Sequence, residues 1–290
     1  MSALSLGYFW AAVATLAWGL IVLAVRGTRT PGHIGIAVSL PVGVAVLLAA
    51  LPLTGETSLC ADKLLSPTGL YLLLGGLLEF PLATLCYYEC LQRAEISTAV
   101  PLTRLKVVFV AALVFLLAIE PLTIPVAVAS VLAVAGAFVL TSAGGLRVRL
   151  DKGALFALGA SLCWAVGDIL VRQALASMPA LPATFWALCL GGAAYYVILI
   201  ALGWTAQVRQ MPRADILRFA THGALSFGLG YFAFFASIQL LGVTKAAVIT
   251  SSWPLVSFLA GIALCGEKIT ARKALGVALI MISVFVVVLK

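Results

Sequence analysis

The sequence is poor in charged residues and in histidine. Asp, Glu, Lys and Arg make up only 10% of the 290 residues, and there are two histidines. Soluble domains carry about 25% charged residues, so the composition argues against a soluble domain. Six cysteines form no CxxC pair, and the histidines match no metal or catalytic-triad spacing. P-loop, HExxH and strand-to-helix GxGxxG motifs are also missing, so we expect no metal, no cofactor and no enzymatic activity.

Hydrophobic residues, by contrast, are abundant. They make up 63% of the chain, and the mean hydropathy is +1.18. A bilayer core of about 30 Å needs roughly 20 apolar residues per helix. The sequence contains ten such runs and therefore predicts an all-α integral membrane protein. The predicted helices are residues 6–26, 33–53, 67–91, 96–118, 121–142, 153–175, 182–203, 214–240, 244–265 and 270–289.

The chain also contains an internal repeat. Residues 92–143 recur 147 positions later as residues 239–290. Identical aligned residues include Gln92 and Gln239, Thr103 and Thr250, Glu120 and Glu267 and, at an offset of 146, Trp18 and Trp164. Each copy holds five apolar segments, and an odd unit repeated in a membrane must be inserted upside down the second time. We therefore predict two inverted five-helix repeats, residues 1–146 and 147–290, around a central cavity.

Basic residues in the connections are distributed unequally. Twelve Lys and Arg residues follow odd-numbered helices and four follow even-numbered ones. The positive-inside rule then places the odd-numbered connections in the cytoplasm and both termini outside. We interpret the net charge of +8 as an orientation signal rather than a nucleic-acid-binding surface. The expected location is the inner (plasma) membrane, crossed many times by a monomer.

Sequence motifs at the end of each copy resemble a known family. Residues 98–105 read TAVPLTRL and residues 118–123 read AIEPLT, and their counterparts are KAAVITSSWPL at 245–255 and GEKIT at 266–270. With Trp18 and Trp164, these motifs resemble the drug/metabolite transporter superfamily in its ten-helix EamA-like branch. The resemblance implies inverted repeats, a central cavity and alternating access, often for export of amino acids or other small metabolites. It also implies cytoplasmic termini, which disagrees with the charge distribution.

Five charged residues within the predicted spans are candidates for a functional role, namely Glu79, Glu89, Arg104, Lys106 and Asp168. A charge at the bilayer centre costs at least roughly 2.5 to 3.5 kcal/mol and needs a partner or water. In a regular helix Arg104 and Lys106 point about 200° apart, so both cannot face one cavity. One interpretation pairs Glu89 with Arg104 and Glu79 with Lys106. The other gives one of the cations an anionic group of the substrate.

Asp168 lies four residues after Trp164 and four before Arg172, so the three share a helical face. An acid followed by a base at this spacing favours an ion pair within the helix. If Asp168 faces the cavity instead, it is a candidate proton carrier, as is Glu79.

Aromatic and hydroxyl residues complete the predicted site. Trp253-Pro254 lies inside helix 9 directly after two serines, where a proline frees a carbonyl and suits a cavity wall. Glu120 and Glu267, in short links between helices, are expected to stabilise these links by accepting from exposed amides. The predicted substrate-binding residues are Trp18, Glu79, Tyr87, Arg104, Lys106, Trp164, Asp168, Tyr231, Ser251 and Trp253.

Charges concentrate in the first half of this set, and aromatic and hydroxyl groups in the second. This asymmetry favours an amphiphilic substrate. We predict a secondary active transporter that exports small metabolites such as amino acids, with protons as a candidate coupling ion. The alternatives are an exchanger of anionic solutes such as organophosphates and, in another class, a non-transporting membrane or lipid-handling protein.

Overall fold

A computed structural model of the chain describes residues 2–25, 27–53, 58–93, 102–141, 152–265 and 270–289. Within these residues, eight helices are long and apolar enough to cross a membrane, and two shorter apolar helices accompany them. In chain order the helices are α1 Ala3–Ala24, α2 Gly32–Ala50, α3 Pro67–Arg93, α4 Lys106–Leu116, α5 Ile124–Thr141, α6 Lys152–Ala174, α7 Ala180–Ala201, α8 Arg213–Leu241, α9 Val243–Thr250 continued by Trp253–Cys265, and α10 Ala271–Val288. These helices agree with the ten predicted apolar runs.

Proline and hydroxyl residues define several helix starts. Pro31, Pro179 and Pro212 immediately precede α2, α7 and α8. A proline has no N–H to leave unpaired at such a position. Ser66 caps α3 by accepting from the Thr68 amide at 3.3 Å. Thr270 caps α10 by accepting from the Lys273 amide at 3.3 Å.

Two of the long helices contain a π-helical segment. In α3 this segment is Leu78–Leu82, around Pro81, and in α8 it is Gly223–Gly230. The two segments occupy aligned positions of the two repeats, at the offset of 147 residues. Such widened turns are frequent at functional sites. Pro81 lies inside the segment of α3, whereas the segment of α8 contains no proline.

The helices pack as pairs that are equivalent between the two halves. Helix α2 packs against α8 and, equivalently, α7 packs against α3. In the same way α1 packs against α8 and α9, while α6 packs against α3 and α4. Helices α5 and α10, which are equivalent to each other, form a pair. The two inverted repeats therefore interlock. The boundary predicted at residues 146 and 147 lies outside the described residues and stays a prediction.

Close helix contacts depend on glycine, as predicted for pairs of small residues in membranes. A Cβ added at Gly76 of α3 would lie 2.3 Å from the Ala187 carbonyl oxygen of α7. A Cβ added at Gly191 of α7 would lie 2.3 Å from the Gly76 carbonyl oxygen. Because both obstacles are backbone atoms, the two helices would have to separate to admit a side chain.

We therefore expect Gly76→Ala to destabilise the protein by about 1 to 3 kcal/mol, the usual cost of overpacking. Thermal unfolding of purified protein in detergent measures this loss. The matched control is Gly159→Ala, because a Cβ at Gly159 meets only the Cys86 sulfur, at 3.7 Å. Equal melting temperatures of the two variants would show that α3 and α7 are not held this closely.

Candidate functional site

A cavity of about 350 Å³ lies between the two halves. Its walls come from α1, α2, α3, α6, α8 and α9 and from the start of α4. Eight of the ten predicted site residues line it, namely Trp18, Tyr87, Arg104, Lys106, Trp164, Tyr231, Ser251 and Trp253. The other two, Glu79 and Asp168, are fully buried beside it.

The cavity walls follow the internal repeat. Aligned pairs that both line the cavity are Trp18 with Trp164, Thr84 with Tyr231, Thr103 with Thr250, Arg104 with Ser251, and Lys106 with Trp253. The cavity therefore lies across the pseudo-two-fold axis that relates the repeats. Its shape is nearly symmetric, but its chemistry is not, because both lining cations belong to the first repeat.

A break in the helical path brings both cations to the cavity. Arg104 and Leu105 form a turn directly before α4, and Ser251 and Ser252 form the aligned turn inside α9. The prediction that Arg104 and Lys106 cannot both face one cavity is therefore wrong. It assumed a regular helix through both residues, whereas the turn re-aims Arg104. The break in α9 next to Trp253-Pro254 was predicted correctly.

Arg104 has no carboxylate partner among the described residues. One of its terminal nitrogens donates to Thr103 Oγ1 at 3.0 Å. Its guanidinium carbon lies 4.6 Å from the centre of the Trp253 ring, within the range of a cation–π contact. Its Nε is buried and has no hydrogen-bond partner. The predicted pair with Glu89 is wrong, because Glu89 binds Arg93 at 2.6 Å, one helical turn away.

Lys106, in contrast, is bound within the protein. Its ammonium nitrogen lies 2.9 Å from Asp168 Oδ2 and 4.9 Å from the centre of the Phe234 ring. The predicted pair of Glu79 with Lys106 is therefore wrong. The helical pair of Asp168 with Arg172 is also wrong. Helix α6 comes from the second repeat and packs against both α3 and α4, so it presents Asp168 to Lys106.

Glu79 lies in the π-helical segment of α3 and has no exposed surface. Its Oε2 accepts a hydrogen bond from the Tyr231 hydroxyl at 3.1 Å. Because Tyr231 lines the cavity, this hydroxyl connects the buried acid with the cavity wall.

Aromatic rings form opposite walls of the cavity. Trp18 packs on Tyr231 with ring centres 5.3 Å apart, and Trp164 packs on Tyr87 with ring centres 5.8 Å apart. Trp18 and Trp164 are aligned in the repeat, so each half supplies one such wall. The rings provide an apolar, rigid surface of the kind that binds the apolar part of a small ligand.

The prediction omitted several lining residues, including Thr84, Tyr88, Thr103, His222, Ser226 and Thr250. The identity of Thr103 and Thr250 in the repeat was a signal for two of them. The position of Ser226 opposite Glu79 in the alignment was a signal for a third. His222 carried no signal in the sequence, because its position depends on how α2 packs against α8.

Polar contacts hold the even-numbered connections together, and those of Glu120 join the two halves. Glu120 Oε1 accepts from the Val243 amide at 2.9 Å and from Arg172 Nε at 3.0 Å. Gln239 donates to the Leu175 and Met178 carbonyls at 3.0 and 3.2 Å. Glu120 therefore does bind exposed amides, as predicted, but those at the start of α9. Its counterpart Glu267 lies outside the described residues.

Inverted five-helix repeats around a central cavity define this protein as a membrane transporter. The chain matches the EamA-like transporter family over residues 5–142 and 151–289. It belongs to this family, which is part of the drug/metabolite transporter superfamily, as the sequence motifs indicated.

Two further similarities agree with this assignment. An uncharacterized transporter of Archaeoglobus fulgidus is 22% identical over 222 residues, which cover 77% of each chain. A solved crystal structure of a protein has the same fold, with a TM-score of 0.77, 21% identity and coverage of 98% of this chain and 96% of that one.

Proposed function

We propose that the protein is a secondary active transporter that exports a small amphiphilic carboxylate, such as an amino acid, by alternating access. The observation that carries this proposal is the environment of Arg104. A half-buried arginine at the cavity wall, with a buried and unpaired Nε and no acidic partner in the described part of the chain, suits an anionic group of the substrate. Trp253 and the aromatic walls then contact the apolar part.

The size of the cavity supports a small substrate. A volume of about 350 Å³ is near the lower end of ligand pockets, which span about 300 to 1,000 Å³. Such a volume suits a single metabolite rather than a lipid or a large drug.

The position of the cavity supports export. Its walls include Val25 and Ile36, beside the α1–α2 connection, and Leu91 and Thr103, beside the α3–α4 connection. The charge distribution assigns these odd-numbered connections to the cytoplasm, in agreement with an inner (plasma) membrane location. The opposite face is closed by Glu120 and Gln239. A substrate would thus enter from the cytoplasm.

Exchange of organophosphates is the weaker candidate for the same site. A phosphate ester carries more negative charge than a carboxylate and usually binds several cations. Of the two cations that line the cavity, Lys106 is already neutralised by Asp168. Arg104 alone therefore suits a single carboxylate better than a phosphate ester.

Counterflow in liposomes tests this function. Purified protein is reconstituted with an unlabelled amino acid inside, and entry of the labelled amino acid is followed, with organophosphates in a parallel series. We expect saturable entry of an amino acid that needs preloading. Saturable exchange of organophosphates alone would favour the exchanger, and no flux of either class would contradict the proposal. Empty liposomes and the variant Glu89→Gln, which changes an exposed pair outside the cavity, are the controls.

A further inference from the structure

The buried acids Glu79 and Asp168 form one cluster with Lys106. Asp168 binds the Lys106 ammonium group, and Glu79 lies next to this pair, against α6. The Glu79 side chain also packs on the residue before Asp168, since a Cβ added at Gly167 would lie 2.9 Å from Glu79 Oε1. Neither acid has exposed surface.

The hydrogen bonds of this cluster are incomplete. Glu79 Oε1 and both oxygens of Asp168 have no donor, since the Lys106 contact is close but lacks hydrogen-bond angles. Two facing carboxylates are both acceptors and cannot satisfy each other. One proton on either acid turns the pair into a donor and an acceptor. The protonated acid then donates a hydrogen bond, and an unpaired oxygen of the other acid accepts it.

The charge of the cluster leads to the same conclusion. Among the described residues, the titratable or charged groups near Glu79 are Asp168 and Cys163 on α6, Lys106 on α4 and Tyr231 on α8. With both acids ionised, one ammonium group would face two buried carboxylates, and an unpaired buried charge is costly. Adjacent buried carboxyls commonly share one proton for this reason. With one proton, the cluster is neutral.

Of the two acids, Glu79 is the one whose contacts suit the protonated form. Asp168 already has a cation as its partner, because the Lys106 ammonium nitrogen lies 2.9 Å from its Oδ2. Glu79 Oε2, in contrast, accepts from the neutral Tyr231 hydroxyl at 3.1 Å. Both Tyr231 and Lys106 also line the cavity, so protons can reach the cluster from its water.

We propose that Glu79 and Asp168 form a binding site for a single proton, carried by Glu79, and that this proton is the coupling ion of the transporter. The second clause rests on the proposed function, and the first stands on the cluster alone. Loss of the proton leaves Lys106 between two carboxylates. A change in the packing of α4 against α6 then accompanies deprotonation, which is how the proton would bias alternating access.

Infrared difference spectroscopy of the purified protein in lipid nanodiscs tests the proton site without any substrate. We expect an absorption band of a protonated carboxylic acid that disappears as the pH is raised. The band should be lost in Glu79→Gln and retained in the control Glu89→Gln. In Glu79→Asp the band should shift rather than vanish, which keeps the test valid if glutamine perturbs the fold.

Asp168→Asn gives the sharpest result. With Asp168 neutral, Glu79 becomes the counterion of Lys106, so it should lose its proton and the band should vanish. A band that persists in Asp168→Asn would mean that burial alone protonates Glu79, which overturns the shared site. No band in the unaltered protein would overturn it as well.

Coupling is measured separately in the liposomes. A pH gradient should drive accumulation in the unaltered protein but not in Glu79→Gln. Counterflow by a protein without the protonated-acid band would leave the proposed function standing and overturn only the proton site. A protein that shows the band but no flux would retain the proton site and contradict the proposed function. A band with flux that ignores the gradient would retain the site and remove its role in coupling.

Discussion

Replacing Arg104 by glutamine should weaken the binding of a carboxylate substrate by about 10- to 100-fold. The variant removes the one cavity cation that has no acidic partner in the described part of the chain. A hydrogen bond to a charged group contributes about 1.5 to 3 kcal/mol, and each 1.4 kcal/mol is a factor of ten in affinity. The half-saturation concentration in liposome counterflow, or direct binding of the labelled substrate, measures the effect.

Two comparisons show whether Arg104 acts through the carboxylate. A neutral amide analogue of the substrate should bind the unaltered protein weakly and be almost insensitive to Arg104→Gln. Arg104→Lys should lose less affinity than Arg104→Gln, because it keeps the charge but not the planar pair of donors. The matched control is Arg93→Gln, which removes an exposed arginine outside the cavity. Equal losses for the acid and its amide would instead indicate a structural role.

The architecture was predictable because it depends on composition and periodicity. The sequence contains ten apolar runs and an internal repeat at an offset of 147 residues, so each repeat holds five runs. Because five is an odd number, these features suffice to predict inverted five-helix repeats. The repeat also carried information about the site. Thr103 and Thr250 align and both line the cavity, as do Trp18 and Trp164.

The ion pairs were not predictable in the same way. The sequence favours partners that are near in the chain, such as Asp168 with Arg172, or on consecutive antiparallel helices. The observed partners, Lys106 and Asp168, come from different repeats, and their contact depends on how α6 packs against α4. The turn of Arg104 and Leu105 contains no proline or glycine, and none follows it in α4. Only its alignment with Ser251, just before Pro254, hinted that the helix is broken there.

Replacing Lys106 by methionine should destabilise the folded protein by about 3 to 5 kcal/mol, the usual cost of removing one partner of a buried ion pair. Asp168 would lose its cation, and Glu79, which packs on the neighbouring Gly167, offers no positive charge. Asp168→Asn should cost less, because Lys106 then retains Glu79 as a counterion. Thermal or denaturant unfolding in detergent micelles measures both losses.

The double variant Lys106→Met/Asp168→Asn distinguishes an uncompensated charge from damaged packing. Removing both charges leaves no ionised group without a partner, so the double variant should be more stable than Lys106→Met alone. Additive losses would show instead that the two side chains contribute independently through their packing. The exposed pair of Glu89 and Arg93 is the internal reference, since exposed pairs contribute about 0 to 1 kcal/mol and Arg93→Met should leave unfolding nearly unchanged.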